Sequence, residues 1–298
     1  MGLLLFAPLT VGAEPASSEG SAEQDARWIP GVALFSGGFV QDRTASVDSD
    51  TRGFSGGENT AFMWSVGISA ELSTPVLLPD IPGRPRLFVH GDIGALLNQE
   101  DPVANEGDPG GQPTPVADPI TGVSPVGAVT NRGSATRVQT EPLLLAAGAG
   151  VVFQTTAWDR AVRIKPSVEW LWQEDRVQVL LGDAESEGLD PLLCDPICRT
   201  ISVDATTTQG FHSLGPAVEI EVDAARAQDF LFTLFLSAGA YHVLGDREVD
   251  LSVTAAWERA DGLPTARPDP TSTVDSFYER EPWHYRFGIG LRVLWVPE

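Results

Sequence analysis

The chain predicts an all-β fold: an eight-stranded antiparallel up-and-down transmembrane β-barrel with long loops at one end. Three observations predict it. Eight segments alternate apolar and polar residues with a period of two, the connections between them alternate in length, and the polar face of the segments carries charges of both signs. Successive side chains of a strand point to opposite faces, so a period of two sorts each set onto one side of a sheet. A helix needs apolar residues spaced by 3.6, which these segments lack.

The first segment, 28–41, is Gly-rich and opens on Trp28. In 62–72, Phe62, Trp64, Val66, Ile68, Ala70 and Leu72 share one face, opposite Met63, Ser65, Gly67, Ser69 and Glu71. In 86–97, Leu87, Val89, Ile93, Ala95 and Leu97 oppose Arg86, Phe88, His90, Asp92 and Gly94. The fourth, 143–154, is apolar on both faces, with small Ala146, Gly148 and Gly150 on one. The fifth, 162–173, sets Val162, Ile164, Pro166, Val168, Trp170 and Trp172 against Arg163, Lys165, Ser167, Glu169 and Gln173. The sixth, 214–223, puts Leu214, Val218, Ile220 and Val222 opposite Glu219, Glu221 and Asp223. In 230–241, Phe230, Phe232, Leu234 and Leu236 oppose Thr233, Phe235, Ser237 and Tyr241. The last, 285–295, alternates Tyr285, Phe287, Ile289, Leu291, Val293 and Trp295 with Arg286, Gly288, Gly290, Arg292 and Leu294.

Connections at 42–59, 98–134, around the two cysteines and at 245–275 read as long loops; 73–85, 155–159 and 224–228 read as shorter turns. Long loops therefore fall at one end of the strands, and short turns with both termini at the other. That asymmetry is the pattern of an outer-membrane barrel.

A soluble sandwich also alternates, but its apolar face is covered by a second sheet. Here the minority face carries Glu71, Arg86, His90, Asp92, Arg163, Lys165, Glu169, Glu219, Glu221, Arg286 and Arg292, expected as a paired-charge network in the lumen. Aromatics fall where lipid interfaces would lie. Trp28, Phe153 and Trp295 mark the short-turn end, and Phe62, Trp64, Trp170, Trp172, Trp283 and Tyr285 the long-loop end. Ten residues separate Tyr285 from Trp295, roughly 25 Å at ~3.3 Å per residue and a tilt of ~40°, the height of the apolar band in such barrels. An eight-stranded lumen is just wide enough for side chains to fill, so an open diffusion pore is not expected.

Composition bounds the rest. The chain has 298 residues and a formal charge of −22, with Lys+Arg 19 against Asp+Glu 41, which argues against nucleic-acid binding. Residues 1–13, with an apolar core from Leu3 to Val11 and small residues to Ala13, read as a truncated secretory signal peptide. Residues 14–27 read as a flexible periplasmic lead-in and 28–298 as the barrel domain. An exported chain favours a local disulfide between Cys194 and Cys198. Asp48, Asp50 and Gly53 match three positions of a calcium loop, but Arg52 stands where an oxygen ligand belongs, so an acidic loop is expected and no metal site. No motif points to a cofactor.

The alternating segments, the leader and the C-terminal strand "YRFGIGLRVLW" together resemble small eight-stranded outer-membrane proteins of the OmpA-barrel and OmpW types. The resemblance implies a Gram-negative cell outer membrane, contact with membrane lipid and lipopolysaccharide, and recognition of the last strand by the barrel-assembly machinery. The leading functional reading is a structural or surface-interaction role exercised through the external loops. The alternative is binding or passage of a small, perhaps apolar, ligand. A lipid A acyl hydrolase comes third, because His212 and Ser213 are adjacent and adjacent strand residues face opposite sides. The chain is therefore expected not to be an enzyme.

Overall fold

A computed structural model describes residues 26–51, 53–97, 101–107, 133–157, 159–186, 198–259 and 270–297. Twelve strands account for most of them: β1 (Ile29–Ser49), β2 (Gly53–Ser73), β3 (Arg86–Leu97), β4 (Asp101–Gly107), β5 (Gly133–Thr140), β6 (Leu143–Ala157), β7 (Arg160–Ser186), β8 (Cys198–Ala227), β9 (Phe230–Leu244), β10 (Glu248–Ala256), β11 (Glu258–Arg259) and β12 (Thr271–Trp295). Eight of them close on one another, in the order β1-β2-β3-β6-β7-β8-β9-β12 and back to β1, each pair antiparallel. A closed ring leaves no unpaired edge, so every strand in it finds backbone partners on both sides.

The long connections differ from the loops the sequence suggests. β1 and β2 stay paired from Ile29↔Ser73 out to Ser49↔Gly53, so the supposed loop 42–59 is a hairpin that continues the ring. β7 and β8 run paired from Val162↔Val222 to Ser186↔Cys198. β4 and β5 pair antiparallel, with β5 on the upper half of β7, and β10 lies on the upper half of β12. The ring thus carries a β-built extension at one end. At the other end two turns are tight, with Asp159 and Gln228 at positive φ, and the connection from β2 to β3 takes residues 74–85. The cysteine pairing lies outside the described residues.

The strands keep one inward and one outward set along their length, yet the chemistry of the two sets exchanges partway up. On β7 the outward residues Ile164, Pro166, Val168, Trp170 and Trp172 give way to Glu174, Arg176 and Gln178, while the inward set passes from Arg163, Lys165 and Glu169 to Val177, Val179 and Leu181. β8 repeats this: Ile220, Val218 and Leu214 face out below, and Thr208, Thr206 and Asp204 above; Glu221 and Glu219 face in below, and Val203 and Ile201 above. β12 does the same, with Trp283 to Trp295 outward below and Asp275, Glu279 and Glu281 outward above.

Two kinds of exterior result. Around the ring, Val32, Leu34, Ile68, Val89, Val168, Leu236 and Ile289 are all exposed. A continuous apolar belt of this extent is unlike the surface of a monomeric water-soluble protein. Above it, the extension has an ordinary apolar core of Val47, Val138, Val177, Val179, Ile201, Val203 and Val274, closed by Trp257 and Tyr278.

Candidate functional site

The interior of the ring is filled in storeys from the short-turn end upward. Lowest is a cluster drawn from four strands. Lys165 of β7 places its Nζ 2.5 Å from Glu221, 3.0 Å from Glu71 and 3.1 Å from Glu219. Arg292 of β12 reaches Glu221 at 2.5 Å and Glu71 at 3.2 Å, and donates through both terminal nitrogens to Glu219. Arg163 extends the cluster, 2.9 Å from Glu221 and 2.5 Å from Asp223. The register makes this possible: Lys165 sits beside Glu219 and Arg163 beside Glu221 across the β7–β8 ladder. Charge-assisted hydrogen bonds between side chains as buried as Lys165, Glu71, Glu221 and Arg292 are strong, and each of these charges left without its partner would be correspondingly costly. Phe235 lies under the Arg292 guanidinium and Phe88 under Lys165.

Above it, Asp92 bonds Arg286 at 3.0 Å, and His90 lies 3.3 Å from both Asp92 and Glu169. Tyr241 donates to Glu169 at 2.7 Å. Gly148 admits this group: a Cβ there would stand 2.3 Å from His90 Nε2. Arg86, by contrast, lies at the short-turn mouth, where it donates to the carbonyls of Arg27 and Thr74.

An apolar storey follows, made by Phe39, Met63, Leu96, Leu144 and Leu171, with the His284 ring lying between Phe39 and Tyr241. Beyond it is a second ionic group that the sequence reading missed. Arg280 grips Asp175 with two hydrogen bonds, at 2.7 and 2.9 Å; Thr140 donates to the same carboxylate at 2.6 Å, Tyr278 also donates to it, and Arg43 lies 3.7 Å away. All of these side chains are buried. Burial opposes the charge of Asp175, but Arg280 and Arg43 outweigh it and hold the carboxyl well below the usual carboxylate range. The signal was present in the parity: Arg43, Asp175 and Arg280 continue the inward rows of Phe39, Gln173 and His284. It is hidden because the contrast between an apolar and an ionic face ends near the aromatics.

The outward aromatics form two levels. Trp28, Phe153 and Trp295 are exposed near the short-turn end. Phe62, Trp64, Trp283 and Tyr285 are exposed at the level where the faces exchange, with Trp170 and Trp172 half-buried beside them. His212 stacks on Trp170 outside the ring, while Ser213 is buried inside it. Asp50 accepts a hydrogen bond from the Thr273 amide at 3.1 Å and Asp48 sits across the β1–β2 ladder from Phe54, so both belong to the end of a hairpin where the sequence suggested a loop.

No family model matches the chain, and no curated protein matches it. Among solved structures it is similar to a TodX monoaromatic hydrocarbon channel deltaS2 mutant, at 8% identity over 90% of each chain with a TM-score of 0.24. A likeness this distant carries no argument about the fold or about what the chain does.

Proposed function

We propose that the ring is an eight-stranded β-barrel of the outer membrane, that its interior is a structural plug, and that its role is surface interaction through the strand-built extension. The observation that carries this reading is the exchange of faces along β7, β8 and β12. An apolar exterior around an ionic interior suits lipid, and the reverse suits water, so a strand that changes from one to the other crosses a boundary between two solvents. The outer level of exposed aromatics falls at that boundary and the level at Trp28, Phe153 and Trp295 supports a second one at the short-turn end, since Trp and Tyr favour membrane interfaces.

The stacked ionic and apolar storeys favour a supporting role over passage along the axis. Segregation of His212 and Ser213 to opposite faces favours a non-enzymatic reading. On this account residues 1–13 are a signal peptide, the last strand is what the assembly machinery reads, and the outer aromatic level meets lipopolysaccharide.

A membrane-fraction gel run with and without boiling tests the proposal, because a closed transmembrane barrel resists detergent until heated. A faster-migrating unboiled band that co-sediments with outer membrane is the expected result. Identical migration, or recovery in the soluble fraction, would overturn it.

A further inference from the structure

We propose that the mouth at the short-turn end is a binding site for a phosphate-type oxyanion. A cavity of about 640 Å³ opens there. The chain is strongly acidic, yet six of its 19 Lys and Arg residues line this cavity: Arg84, Arg86, Arg160, Arg163, Lys165 and Arg226. The carboxylates among the lining residues are Glu71, Asp159 and Asp223. Glu71 and Asp223 are already engaged from the floor by Lys165 and Arg163. The ion cluster below sets Arg163, Lys165 and Arg292 against Glu71, Glu219, Glu221 and Asp223 and so adds no positive charge, and the positive excess is that of Arg84, Arg86, Arg160 and Arg226 over Asp159 at the rim.

Two rim groups are held in place without losing that excess. Arg160 donates to the backbone carbonyls of Asp223 and Ala224, at 2.8 and 3.0 Å. Arg226 donates to the carbonyls of Gln228 and Val296, at 3.4 and 3.0 Å. Neutral carbonyls orient the guanidinium planes and leave their charge for an anion, with further N–H donors on each fork. Arg84 reaches the rim on a turn tied to β6 by a hydrogen bond from Gln154 N to Gly83 O at 2.8 Å. Four arginines lining one opening offer the donors a phosphate needs, since its oxygens accept parallel N–H bonds from more than one fork.

Such a group has two possible sources: a soluble phosphate ester, or the headgroup of an anionic phospholipid reaching the mouth past Trp28 and Trp295. Only the second source rests on the membrane reading proposed above.

The test uses the full chain folded in a maltoside detergent and in nanodiscs. Calorimetry at low salt measures binding of inorganic pyrophosphate, and native mass spectrometry measures phosphatidylglycerol retained from nanodiscs that also contain phosphatidylcholine. The variant is Arg160→Gln with Arg226→Gln, both on the exposed rim; Arg176→Gln on the far extension is the control. Wild type is expected to bind at least one probe, and the double variant to bind it about tenfold more weakly, the loss of roughly one charge-assisted contact, while the control is unchanged. Pyrophosphate binding without lipid preference assigns the soluble source; selective retention of phosphatidylglycerol assigns the lipid. Binding of neither probe by wild type, or equal binding by the double variant, would overturn the proposal. The pyrophosphate measurement still decides it if the protein fails to enter nanodiscs.

Discussion

Replacing Lys165 by Met tests whether the lowest ionic storey is sealed. Its ammonium lies within 3.1 Å of three carboxylates and is almost wholly buried. At an effective dielectric constant of about 20, each contact at 3 Å represents attraction of about 5 kcal/mol. Much of that offsets the cost of taking the charges out of water, so the net loss on deleting one partner is about 3–5 kcal/mol. Arg292 remains against Glu71, Glu219 and Glu221, which places the expected value at the lower end of that range. A urea titration of folding and unfolding in maltoside micelles reads the change as a lowered midpoint with an unchanged slope. The double variant with Glu71→Gln should lose less than the two single losses added together, by about 1 kcal/mol or more, because the second change removes a carboxylate that the first left with Arg292 as its one remaining cation. A loss under about 1 kcal/mol for Lys165→Met is the value of a solvent-exposed pair. That result would mean water reaches the cluster, and the reasoning from burial would be wrong.

Other expectations follow from the two exteriors and the two ionic storeys. Arg substituted for Ile289, outward in the apolar belt, should destabilise folding into vesicles by about 2–4 kcal/mol, while Arg substituted for Thr206, outward above the belt, should cost almost nothing; equal effects in a vesicle-folding titration would remove the boundary between them. Gly148→Ala should displace the His90 ring and loosen its contact with Glu169, seen as a shifted imidazole resonance and a loss of about 1–3 kcal/mol. The lowered pKa of Asp175 fixes a sign: its stabilisation is present above the unfolded carboxylate pKa of about 3.9 and is lost as pH falls below it. Stability of wild type relative to Asp175→Asn should accordingly be constant above about pH 5 and shrink toward pH 3, read from unfolding midpoints across that range.

The sequence made the ring readable wherever the two faces contrasted sharply. Ile164, Val168 and Trp172 against Lys165 and Glu169 leave no ambiguity of period or side, and the structure keeps each on its own face. Legibility failed beyond the outer aromatics for a physical reason. In 42–49 the inward set is Arg43, Ala45, Val47 and Ser49 and the outward set Asp42, Thr44, Ser46 and Asp48, so neither side stands out, and the glycines that follow read as loop. The strand persists because its backbone pairs with β2 and β12, a contribution that composition does not display. On β7, Val177, Val179 and Leu181 do alternate, but with their polarity reversed relative to the belt, which a search for one repeating face passes over. The second ionic storey was lost with them, since Asp175 and Arg280 belong to that reversed stretch.

The unbroken run of β7 past Trp172 has a mechanical consequence. Fourteen residues separate Trp172 from Ser186, a rise of roughly 35 Å along an inclined strand. Because those residues are laddered to β8, and up to Gly182 to β5 as well, the paired ends Ser186 and Cys198 are carried on a stiff mast rather than a tether. On the surface-interaction role proposed above, a partner meeting the laddered part of this mast would do so at a fixed height and would forfeit little backbone freedom there.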